Sequence, residues 1–374
     1  MKVNIDLREA FGTAGIANFK RNLAINLLSY SDIKLSGCFN WSRAAKKSEY
    51  IWFKGELHKS IVPDKLVYRY AQDFDFTLPF TYEHIMNSLG DLNLFLTYSL
   101  PKVKFKSPVI STIHDIILLK TNVEKESFRN FHETILRHTI HQSSHIITVS
   151  EAAKRDLQSY FDLSDDKISI VHNGIDQNQF SKELTNCKRL DLKAKYGLPD
   201  HFILYFGGYR LHKNVERLLK AYALLPSLVR KDLKLVITNT NSNLQKLAAE
   251  LHILQDVFFT GFIDESDKCA LYKAANMVYY ASLYEGFGVP IIEAQICKIP
   301  VITSNTSSMP EASGGFAKLV NPYSIEEIYD AILELYTDTA QRCNLVEMGY
   351  KNALQYTWER SASELHTIIT KVVQ

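Results

Sequence analysis

Cysteine is scarce in this chain, and the cysteines show no regular spacing along it. They are odd in number and lack the short paired spacing of zinc and redox sites: Cys38, Cys187, Cys269, Cys297 and Cys343. A disulfide scaffold is excluded as well, because small domains of that kind are dense in cysteine. We therefore expect reduced thiols that act as small packing residues.

Long apolar runs are also missing. No stretch approaches the ~18 residues that a membrane span requires, and the opening segment from Met1 to Asp6 lacks the apolar core of a signal peptide. We therefore expect a cytoplasmic protein that makes at most peripheral contact with the inner membrane surface.

The chain has little excess charge, with 43 Lys and Arg against 41 Asp and Glu and a net charge of +2. This balance argues against a nucleic-acid partner, which requires a concentrated basic surface. Lys102, Lys104 and Lys106 alternate before a predicted strand. They either face an anionic carrier lipid or form an ordinary solvated edge that discourages strand pairing.

What the chain does contain is a repeated alternation of short β-branched runs with helical stretches, which predicts parallel α/β sheets. At 374 residues it is too long for one core, so two domains are expected. The polar, turn-rich segment after Gly174 separates them. The boundaries that follow are 1–180 for the first domain and 181–356 for the second, with a ligand site in the cleft between them.

Two segments of the first half carry candidate chemistry. Phe11–Gly15 follows the opening strand, and glycine amides at a helix start can approach a phosphate. His114 and Asp115 follow the predicted strand Val109–Ile113. Open α/β sheets present ligand-binding residues at such strand ends, so His114 can orient a substrate hydroxyl. The alternative for the glycine segment is an ordinary strand-to-helix turn, and for His114 and Asp115 it is a satisfied histidine beside a loop cap.

The second half carries two stronger segments. Phe206–Asn214 offers the amide of Gly208 with the cations Arg210 and Lys213, a combination suited to a diphosphate leaving group. Glu285 and Glu293 flank a glycine-rich turn that leads into a helix. Glu293 can accept hydrogen bonds from ribose hydroxyls. Glu285 and the backbone amides of this turn can bond sugar hydroxyls and phosphate oxygens: Gly286, Phe287, Gly288 and Val289.

These motifs together resemble the GT-B-fold retaining glycosyltransferases of family 4 (glycosyl transferases group 1), especially bacterial surface-polysaccharide mannosyltransferases. The resemblance rests on Glu285-x7-Glu293, on the loop ending Lys213–Asn214, and on the segments Ser144–Lys154 and Ile170–Asp176. It implies two Rossmann-like domains facing across a cleft. It also implies a C-terminal helix, 357–374, that crosses back to the first domain.

The resemblance also implies roles for individual residues. Gly15 lies near the donor diphosphate, His114 near the hexose and Lys213 on the phosphates, while Glu285 holds the sugar and Glu293 the ribose. The turn that contains Gly261 and Phe262 contacts the nucleobase. Either Arg210 or His212 is the second phosphate ligand, because this chain places its arginine closer to the lysine than many family members do.

The expected activity is retaining, metal-independent transfer of a hexose from a nucleotide diphosphate-sugar, with no cofactor, to an oligosaccharide or lipid-linked saccharide acceptor. GDP-mannose is the first choice of donor and a UDP-hexose the alternative, in O-antigen or capsule biosynthesis. Two rival readings stay open: a sugar-nucleotide 2-epimerase of the same fold, and a catalytically silent partner in a polysaccharide assembly complex. Asp73-Phe-Asp75 resembles a metal-binding D-x-D triplet, but it lies far from the donor motifs and is not assigned a metal.

Overall fold

The computed structural model describes residues 1–7, 15–38, 90–101, 103–121, 124–239 and 241–374. The chain divides into two compact units, one of Met1–Gly174 with Trp358–Gln374 and one of Ile175–Thr357. The turn-rich segment predicts a boundary after residue 180, whereas the second unit begins at Ile175. The reason is local: the Ile175 amide donates to the Tyr356 carbonyl (3.1 Å), and Ile175 bridges to Thr357.

The first unit is built on a parallel sheet of order β2-β1-β3-β4-β5-β6. Its strands are β1 Lys2–Asp6, β2 Lys34–Cys38, β3 Leu92–Phe95, β4 Val109–Thr112, β5 His145–Thr148 and β6 Ile168–Ile170. The helices of its described residues are Gly15–Leu27, Ile117–Lys120, Glu126–Gln142, Glu151–Phe161 and Trp358–Val373. Every residue of β3, β4 and β5 is buried, as expected of parallel strands covered on both faces.

The helix Trp358–Val373 packs within the first unit, although the whole second unit, Ile175–Thr357, separates it in sequence from the preceding part of that unit. Trp358 is buried and its ring lies 6.2 Å from that of Phe19 on the helix Gly15–Leu27. An ion pair joins His172 Nδ1 to Glu364 Oε1 (3.0 Å). Within the described ranges, no helix combines the length and apolarity that crossing a membrane would require.

The second unit has a parallel sheet of order β12-β11-β10-β7-β8-β9. Its strands are β7 Phe202–Tyr205, β8 Lys234–Ile237, β9 Val257–Phe259, β10 Met277–Tyr280, β11 Val301–Ser304 and β12 Lys318–Val320. Its helices in the described residues are Gln177–Ser181, Asn186–Tyr196, Val215–Leu224, Ser227–Asp232, Ser242–Glu250, Glu265–Ala274, Val289–Ile296, Met309–Ser313, Ile325–Thr337 and Thr339–Ala353. The α/β class with two parallel sheets, predicted from the alternation of strands and helices, is confirmed.

The strand order of the second unit creates a switch point. The chain runs outward from β7 through β8 to β9, then returns to place β10 against the other side of β7. The loops that leave β7 and β10 therefore start side by side at the same sheet edge and then run in opposite directions. Open α/β sheets bind ligands at such a place.

The cysteines described by the structure fall into two kinds. Cys269 and Cys297 are buried, whereas Cys187 and Cys343 are exposed. The expectation that the cysteines serve as packing residues therefore applies to the first pair and is wrong for the second.

Candidate active site

The loops that follow β7 and β10 carry the two strongest sequence motifs. The first loop, which we call the lysine loop, is residues 206–214, and the second, the glutamate loop, is residues 281–288. Because β7 and β10 are hydrogen-bonded neighbours, both loops begin at one edge of the sheet. Lys213 and Glu285, which are 72 positions apart in sequence, are thereby brought into contact.

The lysine loop is held in shape by backbone and amide contacts. A single 3-10 turn, Leu211–Lys213, ends at Asn214, whose φ of 62° is left-handed; asparagine tolerates that conformation better than most residues. The buried Asn214 amide donates to the carbonyls of Ala281 (3.0 Å) and Pro322 (2.7 Å). The turn at Asn214 therefore fixes the backbone position of Lys213.

A backbone hydrogen bond also ties the two loops together. The Leu283 amide in the glutamate loop donates to the His212 carbonyl in the lysine loop (2.7 Å). The position of Lys213 relative to Glu285 is thus set by main-chain contacts as well as by the side chains themselves.

Lys213 and Glu285 form an ion pair at the centre of this site. Lys213 Nζ lies 2.7 Å from Glu285 Oε1, and the two side chains are only 18% and 12% exposed. Burial opposes ionisation of Glu285, but the charge and hydrogen bond of Lys213 outweigh it and lower the pKa of the carboxyl group below its usual value. The site therefore holds an ionised acid and a cation in contact.

Tyr280, which the sequence analysis does not single out, is the second partner of Lys213. Its hydroxyl accepts a hydrogen bond from Lys213 Nζ at 2.7 Å. Tyr279 and Tyr280 end the same strand and face opposite sides of the sheet, since side chains alternate along a strand. Strand periodicity alone does not say which of the two faces the ligand edge, so no sequence signal selects Tyr280.

Two serines from the loop after β11 hold the glutamate loop. Ser307 Oγ donates to the Glu285 carbonyl (2.7 Å), and the single hydroxyl proton of Ser308 is shared between the carbonyls of Glu285 (2.9 Å) and Phe287 (2.8 Å). These carbonyls are consequently turned toward the serines. Phe287 itself is buried, and its ring lies edge-on to that of Tyr356 at 5.3 Å.

The end of the glutamate loop requires glycine. Gly288 has a φ of 109°, and a Cβ added there would lie 3.0 Å from Ile291 Cδ1. From this turn the helix Val289–Ile296 begins, with Pro290 in its first turn. The early amides of a helix have no partner within the helix, so Val289 stands where an anion or hydroxyl can be bound.

The structure distinguishes the two candidates for second phosphate ligand. Arg210 is exposed, as is Gly208, where an added Cβ would meet no atom within 4 Å. His212 is 8% exposed, and burial lowers its pKa to about 4, so its imidazole is neutral near pH 7. Only Arg210 of the two brings a positive charge.

Glu293 is more enclosed than a simple ribose ligand would be. It is 5% exposed, its Oε1 is paired with Lys268, and its Oε2 accepts from the Tyr272 hydroxyl (3.0 Å). Burial disfavours the charge on Lys268, but Glu293 outweighs it and raises the pKa of the ammonium group. A carboxylate has about four lone-pair positions, so two remain for a ligand. The ribose role stays a prediction.

The turn at Gly261 and Phe262 leaves an aromatic ring in solvent. Gly261 adopts a φ of 72° and its carbonyl accepts from the Asn239 amide (2.8 Å). Phe262 is 71% exposed, which is unusual for a large apolar side chain and leaves its face available for stacking. This geometry is compatible with the predicted contact to a nucleobase.

In the first unit, His114 lies at the carboxyl end of β4. Its ring packs edge-on against Phe19 at 4.9 Å, and burial, followed by the charge of Lys20, lowers its pKa to about 4. Among the residues the structure describes, none hydrogen-bonds its buried Nε2. Gly15 begins the helix Gly15–Leu27, and no described atom lies within 4 Å of a Cβ added there; the preceding residues 11–14 lie outside the described part.

The remaining predictions concern metal and membrane. No cluster of three or more His, Cys, Asp or Glu side chains suited to a metal occurs among the described residues, and Asp73 and Asp75 lie outside them. Lys104 and Lys106 are exposed in the loop before β4, while Lys102 is not described.

Comparison with known proteins gives two family matches. A family model described as Glycosyltransferase Family 4 matches residues 47–179, and one described as Glycosyl transferases group 1 matches residues 189–352. The second match contains every residue of the lysine and glutamate loops described above.

Two curated relatives and one solved structure extend the comparison. The chain is 27% identical over 289 residues to the serotype-specific mannosyltransferase WbdA of Escherichia coli, covering 74% of this chain and 35% of that protein. It is 28% identical over 261 residues to O-antigen chain mannosyltransferase B of Escherichia coli, covering 68% of each. The chain thus spans about a third of the length of the first relative. HepE of Anabaena in complex with UDP has the same fold, with a TM-score of 0.74 at 16% identity over 99% of this chain and 100% of that one.

Proposed function

We propose, because this chain belongs to the group 1 and family 4 glycosyltransferases, that it transfers a hexose from a nucleotide diphosphate-sugar to a saccharide acceptor. The names of the two relatives support mannose as the hexose and O-antigen as the product. GDP-mannose is therefore the first donor proposed, and a UDP-hexose the second. A lipid-linked oligosaccharide at the inner membrane surface is the acceptor of choice for such a product.

The observation that carries the proposal is the buried contact between Lys213 and Glu285 at a switch point (2.7 Å). A sugar nucleotide presents a diphosphate next to sugar hydroxyls. Lys213 offers a cation to the first, and Glu285 offers an acceptor to the second. The exposed Arg210, near Lys213 in sequence, adds a second charge for the diphosphate.

The chemistry requires a group that stabilises negative charge more in the transition state than in the ground state. As the bond from the anomeric carbon to the diphosphate oxygen breaks, its electron pair passes to the leaving diphosphate. Lys213 and Arg210 are proposed to stabilise that charge, which in a shielded site is worth several kcal/mol. The acceptor oxygen bonds the anomeric carbon from the same face, and its proton passes to the leaving phosphate.

This scheme retains the anomeric configuration without a covalent enzyme intermediate. Glu285 is paired with Lys213 and kept ionised, so we assign it to positioning the sugar rather than to nucleophilic attack. Because fixed cations neutralise the diphosphate, we also propose that no metal is needed. The neutral His114, whose buried Nε2 has no hydrogen-bond partner among the described residues, is assigned to a hydroxyl of the hexose or of the acceptor.

Ligand binding tests the donor part of the proposal. Thermal shift and calorimetry are run with GDP, UDP, GDP-mannose, UDP-glucose and UDP-N-acetylglucosamine, each with and without EDTA. A ligand at ~100 times its Kd stabilises the folded state by about 2.7 kcal/mol. Stabilisation by one nucleotide class that EDTA leaves intact supports the proposal, and loss of that stabilisation in Lys213→Met assigns it to this site. Absence of any response contradicts it.

Product analysis tests the transfer itself. Incubation of the bound sugar nucleotide with a mannose-terminated oligosaccharide is expected to yield an extended glycan whose new linkage has the anomeric configuration of the donor, read by NMR coupling constants. Conversion of the sugar nucleotide without acceptor identifies an epimerase instead. Binding with neither conversion nor transfer favours a silent partner.

A further inference from the structure

Lys213 has more partners in this structure than the proposed chemistry uses. An ammonium group has three N–H donors; one is directed to Glu285 Oε1 and a second to the Tyr280 hydroxyl, both at 2.7 Å. If Glu285 turns to the sugar hydroxyls when a donor binds, Lys213 loses its charged partner. The Tyr280 hydroxyl is then the protein contact that still directs the ammonium group.

Burial and strand pairing hold Tyr280 in one position. It is 3% exposed and ends β10, which is paired with β7 on one side and β11 on the other. Its backbone carbonyl accepts from Thr303 Oγ1 (2.8 Å). A side chain anchored in the middle of a sheet keeps its place when neighbouring loops adjust to a ligand.

We infer that Tyr280 is a positioning residue for the proposed transfer: its hydroxyl holds the Lys213 ammonium group in line with the leaving diphosphate after Glu285 has moved to the sugar. This inference rests on the proposed function. It adds a residue that neither the sequence motifs nor the family match assigns.

The hydroxyl, rather than the ring, makes this contact. Lys213 Nζ lies 5.0 Å from the ring centre but 2.7 Å from the hydroxyl oxygen. Burial and the nearby Glu285 raise the pKa of the Tyr280 phenol well above its usual value, so the oxygen stays protonated and neutral. A neutral acceptor directs the lysine without neutralising the charge that the diphosphate requires.

Tyr280→Phe removes this hydroxyl and leaves the ring in place. A hydrogen bond to a charged group is worth enough to change a rate by about 10- to 100-fold. Because the lysine is needed most as charge develops on the leaving group, we expect kcat to fall by that factor and KM to change by less than about 3-fold. Unchanged kcat in an active background overturns the inference.

The pH profile supplies a readout that packing alone would not move. Lys213 holds the pKa of Glu285 low; a less well-placed lysine lowers it less. The acid limb of kcat/KM is therefore expected at higher pH in Tyr280→Phe than in the wild type. An acid limb at the wild-type position counts against a role through Lys213.

Tyr222→Phe is the matched control. Tyr222 is also buried in the second unit, and its hydroxyl donates to the Leu233 carbonyl (2.9 Å); Leu233 directly precedes β8 and so lies at the sheet edge opposite the two loops. It reports the cost of deleting a buried tyrosine hydroxyl and is expected to keep wild-type kcat and acid limb. A fall in kcat equal to that of Tyr280→Phe would assign both effects to stability and overturn the inference.

A double-mutant cycle with Lys213→Met separates this inference from the proposed function. Single-turnover rate constants are measured for the wild type, both single variants and the double variant, because the expected effect of Tyr280→Phe lies in kcat. If Tyr280 acts through Lys213, Tyr280→Phe has no further effect once the lysine is gone. Additive effects overturn the inference while leaving the proposed function standing; no binding or turnover by the wild type removes the proposed function itself.

If Tyr280→Phe does not fold, 3-fluorotyrosine at position 280 replaces it. This analogue keeps the ring and the hydroxyl, and the fluorine makes the oxygen a weaker acceptor. A several-fold fall in kcat with an unchanged melting temperature supports the inference. Wild-type kcat in the fluorinated protein overturns it.

Discussion

Replacing Lys213 by Met should destabilise the second unit in a way that depends on pH. The variant keeps an aliphatic side chain and removes the ammonium group, leaving Glu285 only 12% exposed with its charged partner gone. Removing one member of a buried ion pair costs about 3–5 kcal/mol. We expect the lower end, about 3 kcal/mol, since neither side chain is completely enclosed.

The sign of the pH dependence follows from the carboxyl group. In the wild type the pKa of Glu285 is lowered, so its contribution to stability is present above the unfolded-state pKa and lost as pH falls through the folded-state value. In the variant, the largest influence that opposes burial is gone, so burial raises that pKa. The free-energy cost of burying the unpaired carboxylate therefore reaches its maximum at pH values well above the raised pKa. It disappears once Glu285 is protonated.

Scanning calorimetry at pH 8 and pH 5 measures the effect. For a unit of this size, about 3 kcal/mol corresponds to about 6–12 °C in melting temperature. We expect a loss in that range at pH 8 and a clearly smaller one at pH 5. The double variant Lys213→Met/Glu285→Gln should recover part of the loss at pH 8, because it leaves no buried charge at this site.

Lys351→Met is the control, since its partner Glu347 lies on the same helix and both side chains are at least 60% exposed. Such surface pairs contribute little, so its melting temperature should stay close to the wild-type value at both pH values. Equal losses for Lys213→Met at pH 5 and pH 8 would refute the reasoning, because they would show that no stranded carboxylate is involved.

Three further predictions concern single side chains. Glu293→Gln should weaken binding of the nucleotide by at least about 10-fold in calorimetry if Glu293 accepts from the ribose. Lys268→Met breaks the same ion pair and shows how much of that loss of affinity comes from lost packing. His114→Phe should lower kcat by about 10- to 100-fold, and because the pKa of His114 is about 4, wild-type kcat should show no inflection from this group between pH 5 and 8. Phe262→Ala should reduce nucleotide affinity about 10-fold, the scale of base–aromatic stacking, with an unchanged melting temperature because the ring is 71% exposed.

Much of the fold is readable from local patterns. The strand predicted at Val109–Ile113 is the strand Val109–Thr112, and the alternation of such runs with helical stretches recurs in both units. Buried parallel strands read as short continuous apolar runs, and surface helices repeat their apolar residues with the helical period. Both signals need only neighbouring residues.

The candidate site is readable only in part. Lys213 and Glu285 stand out because glycines, charges and a following helix lie together in sequence. Tyr280 does not, because its role depends on which face of β10 meets the lysine loop. The enclosure of Glu293 by Lys268 and Tyr272 is also invisible in sequence, since these partners come from another helix, Glu265–Ala274.

Local composition and periodicity are enough to give the strand and helix alternation, the α/β class and the two loops that carry the donor motifs. The folded chain adds the strand order, which makes β7 and β10 neighbours and so brings Lys213 Nζ within 2.7 Å of Glu285 Oε1. It also decided that His212 is buried and neutral while Arg210 is exposed. Pairing between distant strands and burial by distant helices depend on the whole chain packing at once, and no local pattern encodes them.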